Sequence, residues 1–212
     1  SLGIGQGYNN FTMLQLASAT ATLATGGQRF KPRLVREIED VVTRERKRVA
    51  SEALPALPYK PEHAEVIVRA MYGVTQEGTS VRSFSGAPYK SGGKTGTAQA
   101  VGIKQNEKYN ASKLDEYKRD HSLYIAFAPV EAPTIALAVV VENSGFGSEA
   151  AAPMARRVFD FVLRGVVPSE EDLVATRIGK SGAPAGKART AADYPLPGIT
   201  SVLGNAAAGA TP

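Results

Sequence analysis

A chain of 212 residues, 43% hydrophobic and 21% charged, has enough material for one domain with a self-sufficient core. Its 25 basic residues outnumber its 20 acidic ones by 25 − 20 = 5; that excess fits an anionic surface or substrate nearby, but is too small and scattered for nucleic-acid binding. The absence of cysteine excludes disulfides, thiol catalysis and cysteine-ligated metal, and no run approaches the ~20 apolar residues that span a bilayer.

The chain opens at Ser1, without methionine and inside a glycine-rich phrase. It therefore reads as the C-terminal portion of something longer, with any export signal or anchor upstream. Gly3, Gly5 and Gly7 lack the spacing of a dinucleotide fingerprint, because Tyr8 stands where the third glycine belongs; they read as a turn into a helix. Thr12 is a good N-cap with Gln15 as its capping-box partner, and Phe11 and Leu16 can form a hydrophobic staple. The helix is predicted from Met13 to about Thr25, stopping at Gly26-Gly27.

Residues 30–49 predict strands or a hairpin at the periphery, with Arg44-Glu45-Arg46-Lys47-Arg48 as a solvated turn. Pro55, Pro58 and Pro61 mark a loop. A second helix comes next, with Val66, Ile67, Ala70, Met71 and Val74 on its inner face and Gly78 at its end. His63, in the first turn, reads as surface structure. Residues 102–120 mix basic and acidic residues with Tyr109 and Tyr117, and their near balance of charge predicts an exposed excursion.

Two alternating segments, 123–128 and 135–141, flank a turn from Pro129 to Pro133 and predict an antiparallel pair. Alanines on one face leave room for a closely packed helix. The candidate helix, about 150–164, is expected to turn Met154, Val158, Phe161 and Val162 inward and Arg156, Arg157 and Asp160 outward. Residues 166–212 drift to Ala, Gly, Pro and Ser and predict a disordered tail.

The stretch Ser91-Gly92-Gly93-Lys94-Thr95-Gly96-Thr97 carries the chemistry. As a phosphate loop it fails on spacing, since Pro88 stands where the first glycine belongs, and residues 95–102, with two threonines and two glycines, are poor helix material. Leu137–Val141 followed by Glu142 imitates an apolar strand ending in a magnesium-binding acid, but an antiparallel hairpin does not suit that class. As an extended Lys-Thr-Gly-Thr strand the same letters fit acyl transfer. Such a strand binds a peptide by main-chain hydrogen bonds, and glycine at 96 admits a close backbone. Thr95 and Thr97 can hold a terminal carboxylate, with fixed positive charge from Lys94. The Thr97 N–H suits a tetrahedral oxyanion, a role worth ~3 kcal/mol per donor.

Around that strand the sequence resembles the class B penicillin-binding proteins, from Gly3 to about Leu163. The resemblance lies in "GIGQGY", "MYGVTQEGT" at 71–79, "APYKSGGKTGTAQ" at 87–99, "KYNASK" at 108–113, "RDHSLYIAFAP" at 119–129 and "VVVEN" at 139–143. Division-specific members share the Lys-Thr-Gly-Thr strand, whereas "GIGQGY" and the Arg-Asp-His segment look more like the cell-elongation members. The resemblance implies an α/β (α+β) transpeptidase fold over 1–165, an antiparallel sheet covered by helices, with no cofactor and no metal. It also implies peptidoglycan stem peptides and lipid-linked precursors as substrates, β-lactams as inhibitors, and a membrane glycosyltransferase with its elongation machinery as partners. The setting would be the periplasmic face of the inner membrane.

The family also needs a serine nucleophile in S-x-x-K and a second S-x-N or S-x-D motif. The literal match Ser91-x-x-Lys94 reads as a decoy, because its lysine belongs to the strand and its glycines spoil a helix. Lys94 and Thr97 are thus the catalytic candidates and Thr95, Gly96 and Thr97 the substrate-binding ones. With the nucleophile expected upstream, this chain alone is expected to be inactive. His121 reads as structural rather than as a base. The rival readings are a non-catalytic penicillin-binding-like scaffold or sensor, a β-lactamase and a P-loop protein.

Overall fold

The computed structural model describes residues 10–101, 110, 114–177 and 182–190. The first helix, α1 (Met13–Ala24), starts where its cap dictates: the Thr12 hydroxyl accepts the Gln15 N–H at 3.2 Å, and Gln15 Oε1 accepts the Thr12 N–H at 2.8 Å. It ends before Gly26 and Gly27, whose φ angles of +67° and +95° suit glycine. Next, β1 (Arg29–Phe30) pairs with β4 (Ala53–Leu54), enclosing an exposed ribbon of β2 (Glu37–Glu39) and β3 (Arg46–Arg48). The basic run expected as a solvated turn is therefore turn only as far as Glu45. Arg46–Arg48 form a strand because Asp40 ties off the turn earlier, accepting the Val42 and Thr43 N–H groups at 2.8 Å each. Arg44 and Arg46 grip Glu39 and hold its carboxyl below the usual range.

Helix α2 (Pro61–Gln76) carries proline at its start and leads into the short α3 (Val81–Phe84). Its inner seam differs from the expected stripe. Ala64, Met71 and Thr75 are buried, while Val66 and Ile67 stay 68% and 48% exposed. The rotation has its cause in the facing strand: Thr75 Oγ1 donates to the Ser91 carbonyl at 2.8 Å, and Met71 packs over Gly92. A polar side chain with a carbonyl to satisfy sets the helix face against a strand that offers little apolar surface.

The central sheet is antiparallel, in the order β5 (Gly92–Ala98), β6 (His121–Ala128), β7 (Ile135–Val141). The expected hairpin is thus β6–β7, with Phe127 facing Ala136 and Leu123 facing Val140. Helices α1 and α2 pack on the sheet, as does α4 (Ala151–Arg164). The core joins Tyr124, Ala126 and Ala128 of β6 to Ala151, Ala152, Ala155 and Phe159 of α4 and to Phe84. The small residues of β6 do accept a close helix.

The face that α4 presents is the reverse of the one expected. Arg156, Arg157 and Asp160 are buried, whereas Val158 and Val162 are 41% and 37% exposed. The buried charges are tolerated because each is paired and hydrogen-bonded: Arg156 with Asp160 at 2.9 Å, and Arg157 with Asp172. Asp172 belongs to α5 (Glu170–Arg177), which follows β8 (Val166–Val167); β8 pairs with β9 (Arg189–Thr190). Residues 166–177 and 182–190 therefore fold against α4 instead of belonging to the disordered tail expected over 166–212, and 191–212 lie outside the described residues. Most of the polar excursion, and the opening glycine phrase, also lie outside them. Among the described residues no helix is long and apolar enough to cross a membrane.

Candidate active-site strand

Lys94–Thr97 lie extended within β5, which among the described residues pairs on one side only: Lys94 faces Ile125, Thr95 Tyr124, Gly96 Leu123 and Thr97 Ser122. An extended edge strand is incompatible with a phosphate loop, which must open a helix at this point. The paired glycines have another cause. A Cβ on Gly92 would stand 2.6 Å from the Phe127 ring, and one on Gly93 would run into the Tyr124 phenol. These two fully buried aromatics of β6 cover the glycines from opposite faces. The Tyr124 hydroxyl is 2.8 Å from Ser80 Oγ, which donates onward to the Val74 carbonyl at 3.1 Å. Two residues before the quartet, then, the strand is locked between aromatic rings and the end of α2.

Within the quartet, Lys94 is exposed, and Thr95, Gly96 and Thr97 are half-buried. Lys94 Nζ donates to the Thr95 carbonyl at 2.8 Å and reaches Thr95 Oγ1 at 3.4 Å. Thr95 Oγ1 is in turn 3.1 Å from Thr79 Oγ1, beyond the end of α2. A cation and two hydroxyls therefore meet at the sheet margin, a donor set suited to a carboxylate. Sequence reasoning missed Thr79. It closes the "MYGVTQEGT" stretch that contributes to the resemblance, but that stretch gives it no role and does not announce a neighbour sixteen residues away.

The strand's support is equally specific. A Cβ on Gly147 would strike the Leu123 carbonyl and lie 2.7 Å from the Gly96 carbonyl, so its loop backbone closes on the β5–β6 ladder. Ser122 Oγ, opposite Thr97, donates to the Phe146 carbonyl at 2.9 Å and accepts the Ala151 N–H at 3.1 Å. His121 Nδ1 accepts the Asn143 N–H at 3.0 Å, holding the turn after β7, where Asn143 has φ of 55°. That is a structural role. His63 is exposed in the first turn of α2. Ser91 is 1% exposed, and three residues of extended chain put its side chain and that of Lys94 on opposite faces; the pair cannot act as the helical serine–lysine unit. A cleft of about 760 Å³ lined by Thr75, Phe84, Tyr89, Lys90, Ser91 and Glu131, among others, opens at the foot of β5 and does not include Lys94–Thr97.

An antiparallel sheet backed by helices, with Lys-Thr-Gly-Thr extended along its margin, is a penicillin-binding transpeptidase fold. The model of the penicillin-binding protein transpeptidase domain matches residues 1–160, and the chain belongs to that family. It is similar to the peptidoglycan D,D-transpeptidase MrdA of Haemophilus influenzae, with 39% identity over 185 residues, 81% of this chain and 26% of the relative. It is also similar to MrdA of Escherichia coli K12, with 36% identity over 183 residues, 82% of this chain and 28% of the relative. Among solved structures, PBP2 of Pseudomonas aeruginosa in complex with WCK 5153 superposes with a TM-score of 0.60 and 32% identity, covering 77% of this chain and 33% of that one. The chain spans 26% to 28% of the length of these two MrdA relatives.

Proposed function

We propose that this chain forms the β5 wall of a serine-type peptidoglycan D,D-transpeptidase of cell elongation, acting at the periplasmic face of the inner membrane. The observation that carries the reading is the extended Lys94–Thr97 strand at the edge of the sheet formed by the described residues, with a cation and hydroxyls gathered on it. A stem peptide lies along β5 by main-chain pairing. Its terminal carboxylate meets the hydroxyls of Thr95 and Thr97 in the field of Lys94, and Gly96 leaves room for its backbone. A serine outside this chain attacks the penultimate D-Ala carbonyl, and the Thr97 N–H donates to the oxyanion. The peptide C–N bond then breaks, the terminal D-Ala leaves as the protonated amine, and an ester to serine remains. The amine of a neighbouring stem peptide attacks that ester, forming the cross-link and releasing the serine.

β-Lactams, which also carry an acyl carbon and a carboxylate, acylate the same serine. Stem peptides on lipid-linked precursor strands are the substrates, and a membrane glycosyltransferase of the elongation machinery is the partner that supplies them. No cofactor enters these steps. Lacking the nucleophile, this chain alone does not acylate; labelling by a fluorescent penicillin that disappears on Ser91→Ala would contradict that. The decisive experiment is Thr95→Val in the complete enzyme. The acylation rate by benzylpenicillin should fall by about ten-fold, the worth of one hydrogen bond to a charged group, and an unchanged rate removes the assignment.

A further inference from the structure

We infer that Thr79 is a further substrate-binding residue of the β5 site, forming with Thr95 a two-hydroxyl donor for the terminal carboxylate. The inference rests on the proposed role of the strand and adds to it a residue from a different element. Each threonine hydroxyl carries one proton and two acceptor positions. The two Oγ1 atoms share a single hydrogen bond at 3.1 Å. Whichever of them donates, one hydroxyl proton of the pair remains for a third acceptor. Lys94 Nζ, 3.4 Å from Thr95 Oγ1, can only donate and cannot be that acceptor. A carboxylate only accepts, so it completes the set, and Lys94 supplies the opposite charge beside it.

Thr79 is also held in place. The flanking Gly78 N–H donates to the Gly73 carbonyl at 3.0 Å and the Ser80 N–H to the Val74 carbonyl at 3.1 Å. A Cβ on Gly78 would stand 2.7 Å from Val74 Cα, so the chain turns back tightly on α2 here. Ser80 Oγ is bonded to the buried Tyr124 hydroxyl. The Thr79 hydroxyl thus stands at the strand margin on a fixed backbone, and its bond to Thr95 lies in an exposed position that a ligand can reach.

The test is made in the complete enzyme with two probes, benzylpenicillin and its methyl ester, which lacks the anionic carboxylate. Thr79→Val keeps the side-chain shape and removes the hydroxyl; Thr79→Ser restores it. Acylation by the acid should slow about five-fold in Thr79→Val and return to within about two-fold of the parent in Thr79→Ser. Acylation by the ester should be the same in all three proteins. Equal slowing of acid and ester in Thr79→Val would show that Thr79 only braces the strand, and failure of serine to rescue would also overturn the inference. Thr95→Val run in parallel separates the two levels. If it discriminates against the acid and Thr79→Val does not, Thr79 is eliminated and the strand reading stands; if Thr95→Val has no effect either, both fall. Should Thr79→Val melt early, Thr79→Ala gives the same acid-to-ester comparison.

Discussion

Gly93 and Tyr124 show how little freedom single positions have behind the site. Exchanging glycine for alanine in a strand usually gains roughly 0.5–1 kcal/mol through chain entropy. Here the new methyl would stand 2.9 Å from one ring carbon of Tyr124 and nearer still to the phenol, and that ring is 0% exposed, with nowhere to retreat. Gly93→Ala should therefore destabilise by about 2–3 kcal/mol, the cost of overpacking a tight core, read as a lower urea midpoint. Tyr124 itself predicts an alkaline transition. Burial, only partly offset by the Ser80 hydrogen bond, pushes its phenol from 10.0 to about 12. Below pH 10 the phenol is protonated in both folded and unfolded chains, and stability does not depend on it. Between pH 10 and about 12 the unfolded chain has released its proton while the folded one retains it, so stability falls by roughly 1.4 kcal/mol per pH unit. Tyr124→Phe should flatten part of that slope while costing about 1 kcal/mol at neutral pH for the lost hydrogen bond. A slope that Tyr124→Phe leaves unchanged would place the titrating group elsewhere, Tyr89 being the next candidate because its phenol is raised by burial and by Asp160.

Helix α4 turns the usual amphipathic logic over. Its sequence offers an apolar stripe through Val158 and Val162, and alternation arguments put that stripe inside. The helix instead buries Ala152, Ala155 and Phe159, small and flat enough to reach the alanines of β6, and its charges follow them inward. What decides the rotation is unmet hydrogen bonding across the interface. Arg156 Nη1 donates to the carbonyls of Ser83 and Ser85 at 3.2 and 3.1 Å, and Asp160, bound to Arg156, accepts the Tyr89 hydroxyl at 2.8 Å. The carbonyls belong to the run that leads into β5, so α4 fixes the approach to Lys94 from behind. None of this is legible from α4 alone, since the partners lie about seventy residues upstream. The small-residue run Ala150-Ala151-Ala152 is the one local hint, and it acquires meaning only opposite Ala126 and Ala128. Arg156→Met should cost about 3 kcal/mol, because it strands a buried carboxylate and two carbonyls. Arg156→Met combined with Asp160→Leu should recover much of that loss in the same denaturation assay. If the double variant is no better than the single, the penalty comes from packing rather than from an unpaired charge.

Across the whole molecule, the legible features are those whose cause lies within a few residues. The Thr12–Gln15 cap, the β6–β7 hairpin and the extended Lys-Thr-Gly-Thr strand each carry their own signal. The Thr79–Thr95 contact, the aromatic cover over Gly92 and Gly93 and the seam of α2 depend on pairings distant in sequence, and no local pattern encodes them. The C-terminal segment is the sharpest case. Its Ala-, Gly- and Pro-rich composition reads as disorder because it offers little apolar surface, yet its order has a polar origin. The family match ends at residue 160, and the segment beyond it supplies Asp172, 1% exposed, to Arg157, 9% exposed. Gly182 adds a carbonyl to the same guanidinium at 2.7 Å. Asp172 also accepts the Ala185 N–H at 3.2 Å, and Ser169 Oγ ties to the Ala185 carbonyl at 2.7 Å, so the segment folds around the ion pair it completes. Ending the chain after Gly165 removes every one of these partners except the Pro153 carbonyl, which lies within α4. Arg157 can then turn to water only at the expense of its packing, and stability should drop by about 3 kcal/mol. Arg157→Met in the shortened chain should win back part of that loss, whereas Arg157→Met in the full chain should lose stability by stranding Asp172. That opposite sign, measured as urea midpoints of the four proteins, is what a clamp built on one buried pair requires; matching signs in the two backgrounds would mean that residues 166–190 rest on α4 without holding it.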